Sequence, residues 1–310
     1  MSIKTLSKKM LAIVAAGAMT MGLAMPTSVF AAEGDTATKV TEAYISKTFN
    51  REVAKDETFS FTATQVAGST ADVTIPNISF SGTETGTTTQ RAQVSFPTSW
   101  PDAGKYEYTV KETEATPAIT GEHQKMIMSH AEYTMDVYVI NGDNGLEISN
   151  IIVNKTKDDK GTAVTGKVDI SNTDKNGFNF TNTYVQEAGT GTDPVNPGPD
   201  YTTYGSLDVS KKIKTDAADT ADTNKEFEFT ADFTFPNGTD ATTLGAKATI
   251  GDSTTSITGT SHTFKLKHGQ DVKFTGLPVG TKISVTESAT PNYKGSAEVV
   301  INNGTKEAVA

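Results

Sequence analysis

Cysteine is absent from the 310 residues, and the chain has only four histidines and one tryptophan. Without a thiol, the protein cannot use a cysteine nucleophile, an iron–sulfur cluster or a cysteine zinc site. The histidines do not stand in HExxH or any other metal-ligand spacing, so we predict no metal and no cofactor. The absence of cysteine also means that the chain has no disulfides. If the chain is exported, it needs either large cores or another covalent cross-link for stability.

An export signal is indicated at the N-terminus. A short basic segment without acids precedes an apolar and small-residue stretch, Leu11–Met25, and small residues lead up to Ala31. This order is typical of a signal peptide cleaved after Ala31, and the apolar run is short for a membrane helix. We predict a signal peptide at 1–31, a disordered leader at 32–39, and a secreted, cell-surface protein whose mature chain does not insert into a membrane.

The chain has fewer basic than acidic residues, 27 against 37. The formal net charge is −10, and loss of the basic signal segment would make the mature chain more acidic. An acidic surface disfavours nucleic acid and anionic lipid as partners. The charge does not identify the partner that the protein does have.

Helical periodicity is nearly absent, whereas short alternating segments such as Lys105–Lys111 and Ala92–Phe96 recur between turn residues. This pattern is typical of β-sandwiches, and the length allows two cores. We predict an all-β protein with two immunoglobulin-like sandwich domains in tandem, at 40–185 and 204–310. A segment rich in proline and glycine, 186–203, is the predicted linker.

Three polar residues stand where the alternation predicts buried side chains. Lys47 shares the parity of Ile45 and Phe49, Glu112 that of the apolar residues of KYEYTV, and Asn182 that of the aromatic residues of FNFTNTY. Successive side chains of a strand point to opposite faces, so the three should point inward. A buried lysine, glutamate and asparagine are costly unless they pair or react.

The second half repeats part of this pattern. Lys211 shares a face with Val209 and Ile213, and Glu287 shares one with its apolar neighbours in KISVTE. No asparagine stands in a place comparable to Asn182. We therefore expect the closing strand of the second domain, with its asparagine, to lie beyond Ala310.

These stretches resemble those of a known family. The segments are ISKTF, YEYTVKETE, YTMDVYVINGDNG and FTNTY in the first half, and LDVSKKI, NKEFEFTADF and FKLKHGQDVKFTGLPVGTKISVTES in the second. Together they cover most of residues 40–295. They are similar to the major, or backbone, pilins of Gram-positive covalent pili, which are built from streptococcal-type isopeptide linkage domains.

The resemblance implies an internal cross-link in each domain. Lys47 would join Asn182 with Glu112 promoting the bond, and Lys211 would react with help from Glu287 and an asparagine outside this sequence. Burial would lower the pKa of the lysine and raise that of the glutamate, so that both can be neutral. A neutral amine can attack the carboxamide carbon, while the protonated Glu112 hydrogen-bonds the developing oxyanion and passes a proton to the departing ammonia. Such a protein modifies itself once and is not an enzyme.

The resemblance also implies a covalent polymer of identical copies, joined by a sortase through a lysine upstream of the closing strand. Lys175, seven residues before Asn182, occupies that place. A solvated turn lysine is the competing interpretation, and three lysines on a nearby charged loop could substitute: Lys155, Lys157 and Lys160.

Other interpretations remain open. Leu277–Thr281 (LPVGT) superficially resembles a sortase signal, but Gly and Thr are in the wrong order and the segment is better explained as an interstrand turn. An adhesin or minor pilin could use the same domains to present a surface to host ligands. A glycan-active enzyme with paired carboxylates is a weaker alternative, because no aromatic-lined cleft is indicated.

Overall fold

The computed structural model describes residues 39–113, 119–189, 200, 207–215, 222–300 and 305–309. All regular structure in these ranges is β-strand, which confirms the predicted all-β fold class. None of the described segments forms a helix that is long and apolar enough to cross a membrane. The predicted signal peptide and residues 32–38 of the predicted leader lie outside the described residues.

Strands of the first half account for eleven elements. They are β1 (Tyr44–Arg51), β2 (Glu57–Phe59), β3 (Phe61–Ala67), β4 (Ile78–Phe80), β5 (Gly86–Gln93), β6 (Gly104–Glu112), β7 (Gln124–Ile127), β8 (Glu132–Gly142), β9 (Gly145–Lys157), β10 (Ala163–Val168) and β11 (Gly177–Gln186). Two sheets, ordered β5-β1-β11-β7 and β10-β9-β8-β6-β3, enclose one apolar core, and β2 and β4 form a small third sheet. Rings from the two large sheets meet in this core, as in Tyr133 against Phe178 at 5.4 Å between centroids.

The first and last strands of this sandwich, β1 and β11, are parallel neighbours. Their register places Lys47 beside Phe180 and Phe49 beside Asn182. Parallel strands need a long crossover connection, and here the connection contains all the other strands of the sandwich. Residues far apart in the sequence therefore meet on one inner face.

Strands of the second half are β12 (Asp208–Ser210), β13 (Phe227–Thr234), β14 (Lys247–Ile250), β15 (Ser253–Ser256), β16 (Ser261–Leu266), β17 (Asp271–Thr275), β18 (Lys282–Glu287), β19 (Ala297–Val299) and β20 (Glu307–Val309). The sheets β12-β17-β14-β15 and β16-β13-β18 share a second apolar core, and β19 pairs only with β20. Among the described residues, β12 is paired on one side, with β17, whereas β1 has partners on both sides.

The start of the predicted linker is ordered by hydrogen bonds. β11 runs to Gln186, and the Ala188 and Val279 backbone N–H groups donate to the carbonyls of Leu277 and Gln186 at 2.7 and 2.8 Å. Residues 190–199 and 201–206 of the linker lie outside the described residues. The domain limits predicted from the sequence therefore stay a prediction.

One strand prediction is displaced along the chain. The sequence favoured Ala92–Phe96, but the strand is Gly86–Gln93, and Ser95 contributes only an isolated bridge to Thr74. The segment GTTTQRAQ is polar on both faces because β5 lies at the edge of its sheet. An edge strand that buries little has no apolar alternation by which to recognise it.

The close approach of β1 and β11 predicts a specific cost at Gly177. A Cβ built there would lie 2.8 Å from the Tyr44 carbonyl oxygen and 3.1 Å from its nitrogen, whereas a Cβ at Gly166 on β10 meets nothing within 4 Å. Gly177→Ala should lower the free energy of unfolding by about 1–3 kcal/mol, since backbone must move. Gly166→Ala is the control and should be near neutral. Urea unfolding followed by Trp100 fluorescence reports this core, and equal stabilities of the two variants would contradict the prediction.

Candidate functional site

Three strands bring the inward-pointing polar residues together. Lys47 lies on β1, Asn182 on the adjacent β11, and Glu112 is the last residue of β6 in the facing sheet. Lys47 and Asn182 are 0% exposed and Glu112 is 7% exposed. The parity predicted for these three positions matches their burial.

Glu112 bridges the other two side chains. Its Oε2 lies 2.7 Å from Lys47 Nζ, and its Oε1 accepts a hydrogen bond of 2.7 Å from Asn182 Nδ2. The two oxygens of one carboxyl group thus face the nitrogen of an amine and the nitrogen of a carboxamide. If the amine replaced the amide nitrogen, Lys47 Nζ would have to lose a proton and Asn182 Nδ2 would have to gain one.

The environment of this cluster is apolar. Lys47 Nζ lies 4.2 Å from the centre of the Phe59 ring, and Phe180 is the neighbour of Lys47 across the strands. Burial lowers the pKa of Lys47 to about 8, although the facing Glu112 opposes the shift. Burial likewise raises the pKa of Glu112, against the opposing effect of Lys47. Both shifts favour the neutral forms, since low dielectric penalises charge.

The carboxamide oxygen has a different partner from the one expected. Asn182 Oδ1 accepts a hydrogen bond of 2.7 Å from the backbone N–H of Ser129, while Asn182 Nδ2 also lies 3.3 Å from Met128 Sδ. The sequence-based mechanism had the protonated Glu112 hydrogen-bonding the oxyanion that develops on this oxygen during the reaction. In the structure Glu112 contacts the nitrogen, and the Ser129 N–H is the donor to the oxygen. A backbone donor carries no side-chain signature, so it could not be identified from the sequence.

This arrangement is suited to amide exchange. A lysine amine whose pKa is lowered by burial, a carboxamide carbon and a carboxyl group that reaches both nitrogens are held in a buried space. Proximity and exclusion of water are the main contributions that a fold can make to such a step. Among the described residues, no group of three acidic or histidine side chains could hold a metal ion.

The second pair, Lys211 and Glu287, is also brought together, but nearer the surface. Lys211 Nζ and Glu287 Oε1 form an ion pair, and the amine lies 4.0 Å from the centre of the Phe227 ring. Their side chains are 14% and 26% exposed. Within the parts of the chain that the structure describes, no carboxamide contacts this pair, which agrees with β12 having one open edge.

Lys175 lies on an ordered, exposed turn ahead of β11. It adopts a left-handed backbone conformation with φ of 50°, and the turn is fixed by side-chain hydrogen bonds such as Ser171 Oγ to Asp174 Oδ2 at 2.7 Å. Two of the alternative lysines are engaged elsewhere, Lys155 with Asp159 at 3.7 Å and Lys157 with Glu132 at 3.0 Å. In the described ranges, Lys175 and Lys160 have no acidic partner within 4.0 Å.

The LPVGT segment is an interstrand turn, as predicted. It connects β17 to β18, and the Thr281 N–H and hydroxyl both donate to the Pro278 carbonyl, at 3.1 and 2.7 Å. Gly280 has a φ of 88°, a conformation that favours glycine.

Comparison with protein families bears on both halves of the chain. Residues 37–185 match the family model described as "Spy0128-like isopeptide containing domain", and residues 205–310 match one described as "Domain of unknown function (DUF7601)". The first match confirms the resemblance to Gram-positive pilins. No curated protein matches the sequence.

Solved structures similar to this chain include three streptococcal pilins. The major pilin from Streptococcus pyogenes is 17% identical over 88% of this chain and 92% of its own, with a TM-score of 0.39. The major pilin protein (T3.2) of serotype GAS13637 from the same species is 22% identical over 88% and 91%, with a TM-score of 0.32. The T-13 protein of serotype GAS131465 is 17% identical over the same shares, with a TM-score of 0.34.

Burial of Lys47 predicts an unusual pH dependence when its acidic partner is removed. In Glu112→Gln the lysine loses the charge that opposes the effect of burial, so its folded pKa should fall further below the unfolded value of about 10.4. Between these two pKa values the unfolded chain binds more protons, so the free energy of unfolding should rise with pH by up to about 1.4 kcal/mol per pH unit. Urea unfolding between pH 7 and 10, read by Trp100 fluorescence, measures this slope.

The matched control is the double variant Lys47→Met with Glu112→Gln, which keeps the apolar volume and removes the amine. Other lysines titrate equally in both proteins, so the difference between the two curves isolates Lys47. A difference that is flat or falls with pH would show that the amine is not held in a desolvated site.

Proposed function

We propose that this protein is a structural subunit of a sortase-assembled cell-surface pilus, stabilised by a self-formed isopeptide bond between Lys47 and Asn182. The single observation that carries this proposal is the buried Glu112 carboxyl, which contacts Lys47 Nζ and Asn182 Nδ2 at 2.7 Å each. The family match of residues 37–185 to an isopeptide-containing domain supports it.

The proposed reaction begins with neutral Lys47 and protonated Glu112, the states that burial favours. The lone pair of Lys47 Nζ attacks Asn182 Cγ, and the carbonyl electron pair moves to Oδ1. Glu112 gives its proton to Nδ2 and takes one from the new Nζ–Cγ ammonium. The carbonyl then re-forms, the Cγ–Nδ2 bond breaks and ammonia leaves, with Glu112 restored. The reaction happens once per chain, so the protein is not an enzyme in the sense of turnover.

The bond would close a loop of 135 residues (182 − 47), joining β1 directly to β11. On an entropy scale developed for disulfides, closing a loop of this length stabilises the folded state by about 5 kcal/mol. The larger effect is mechanical, because the first and last strands could not separate under tension without breaking an amide.

We infer the same chemistry for the second half, with Lys211 as the amine and Glu287 as the promoting acid. Their contact and the nearby Phe227 ring repeat the geometry of Lys47, Glu112 and Phe59. The acceptor asparagine would arrive on a strand beside the open edge of β12. In the described structure the side chains of the pair are partly exposed.

Polymerisation would use Lys175 as the nucleophile that a sortase couples to the next copy. The exposed position on a turn fixed by Ser171 and Asp174 supports this choice, since the amine can reach an enzyme while its backbone stays ordered. Export through the predicted signal peptide at 1–31 would deliver the chain to the cell wall. Other copies of the chain and the sortase are the partners that this function requires, and host surface ligands would be further partners.

Intact mass measures the internal bond. The secreted chain should be lighter than its sequence by one ammonia for each bond formed, and a digest should contain a peptide pair joined through Lys47 and Asn182. Lys47→Ala, Asn182→Ala and Glu112→Gln should each lose that peptide pair, because the nucleophile, the acceptor or the proton shuttle is gone. Lys111→Ala, on the outward face beside Glu112, should keep it. Free Lys47 and Asn182 in the folded wild-type chain would refute the bond.

Polymer linkage is tested in cells that express the matching sortase. Lys175→Arg keeps the charge but removes the primary amine, so detergent-resistant ladders should collapse to the monomer. Lys160→Arg, an exposed turn lysine on the same domain, should leave the ladder intact. A ladder that persists in Lys175→Arg would move the linkage to another residue.

A further inference from the structure

The Asn182 carboxamide is held in one orientation by its two ends. The Ser129 backbone N–H can only donate a hydrogen bond, so the atom 2.7 Å from it must be the carbonyl oxygen. The amide nitrogen therefore faces Glu112 Oε1, again at 2.7 Å. Before any reaction occurs, the carboxamide oxygen therefore faces a hydrogen-bond donor, the Ser129 N–H, and the leaving nitrogen faces a hydrogen-bond acceptor, Glu112 Oε1.

Ser129 is itself fixed by contacts outside the reacting cluster. It lies between β7 and β8 and is buried, and its hydroxyl donates to Asp159 Oδ1 at 2.6 Å. The same Asp159 oxygen accepts the Thr181 backbone N–H at 2.9 Å, next to Asn182, and the Asp159 carbonyl accepts the His130 N–H at 3.0 Å. Asp159 thus connects the Ser129 turn to β11, the strand that carries Asn182.

Attack on the carboxamide carbon moves a pair of electrons onto Oδ1. Glu112 cannot stabilise that charge directly, since both of its oxygens are engaged with the nitrogens of Lys47 and Asn182. A donor placed at hydrogen-bond distance beforehand, in a site without water, is the most effective way to stabilise such an oxyanion. The Ser129 N–H is the donor in that place.

We propose that the Ser129 backbone N–H is the oxyanion donor for isopeptide formation and that Asp159 is the positioning residue that holds it there. This inference rests on the proposed function, because it requires that the Lys47–Asn182 bond forms. When the tetrahedral intermediate collapses, the charge on Oδ1 returns to the carbonyl and ammonia leaves, so the donor is needed only in the transition state.

The charge of Asp159 has a second effect on the same site. Burial is the largest cause of both pKa shifts, since it lowers the pKa of Lys47 and raises that of Glu112. The negative charge of Asp159 raises both pKa values. Lys155 is the cation that faces Asp159, at 3.7 Å, and it offsets part of this field. Loss of the negative charge alone should therefore move the pH profile of the reaction to lower pH, whereas loss of the hydrogen bonds should slow it.

The decisive experiment replaces the Ser129 N–H by an ester oxygen. Cell-free synthesis of the full chain with the α-hydroxy analogue of serine at 129 keeps the side chain and deletes only the donor. Samples quenched in denaturant at timed intervals give the rate of ammonia loss by mass, and Trp100 fluorescence reports folding. Loss of one oxyanion donor should slow the reaction by about 100-fold or more. An ester at Asp143, in the exposed turn between β8 and β9, is the matched control and should react at the wild-type rate.

Asp159 variants separate position from charge. Asp159→Ala removes the acceptor for Ser129 and should slow ammonia loss at every pH. Asp159→Asn keeps an acceptor oxygen, so it should recover most of the rate while its pH profile lies at lower pH than the wild type. Equal rates of ammonia loss in the two variants would reduce Asp159 to a structural residue and overturn its assignment, and pH profiles that match the wild type in both variants would refute the effect of its charge.

The outcomes distinguish this inference from the function on which it rests. If the wild-type chain never loses ammonia, the proposed bond itself fails. If the wild type reacts and the ester at 129 reacts as fast as the ester at Asp143, the bond stands and the oxyanion role of Ser129 is refuted.

Discussion

A lysine, a glutamic acid and an asparagine share one hydrogen-bonded cluster inside an apolar core, and the first sandwich is organised around them. Burial is unfavourable for the charged forms of Lys47 and Glu112, so it lowers the pKa of the amine and raises the pKa of the acid, and both shifts favour the neutral forms that the proposed reaction needs. Conversion of the amine and the carboxamide to a secondary amide would remove the titratable lysine altogether. The arrangement is therefore costly before the proposed reaction and well suited to the interior after it.

The topology supplies what the chemistry needs. Lys47 and Asn182 come from the first and last strands of the sandwich, while Glu112 comes from the opposite sheet. The cluster exists only when β1 and β11 have paired and the two sheets have closed over the core. The proposed bond would then form as the final consequence of correct folding, since no shorter segment of the chain contains all three groups.

The alternation of inward and outward side chains along the strands was enough to identify the buried polar residues of the site. Lys47, Glu112 and Asn182 were identifiable because each interrupts an apolar series on one face of a strand, and their burial agrees with that reasoning. Lys211 and Glu287 were found by the same means. Ser129 and Asp159 were not, because a backbone donor and a loop acid that holds it leave no periodic pattern. The edge strands β5, β10 and β15 were misplaced or missed in the sequence prediction for a related reason, because their side chains are mostly exposed.

The parallel pairing of β1 and β11 has a consequence for damage to the surface of the protein. Lys47 lies on the first strand and Asn182 on the last, so every loop that connects strands of the sandwich falls between them in the sequence. With the proposed bond in place, a protease that cuts any one of these loops opens a ring and leaves the two fragments attached. A chain nicked in this way would still run as one covalent molecule, and its terminal segments would remain connected through the side chains alone.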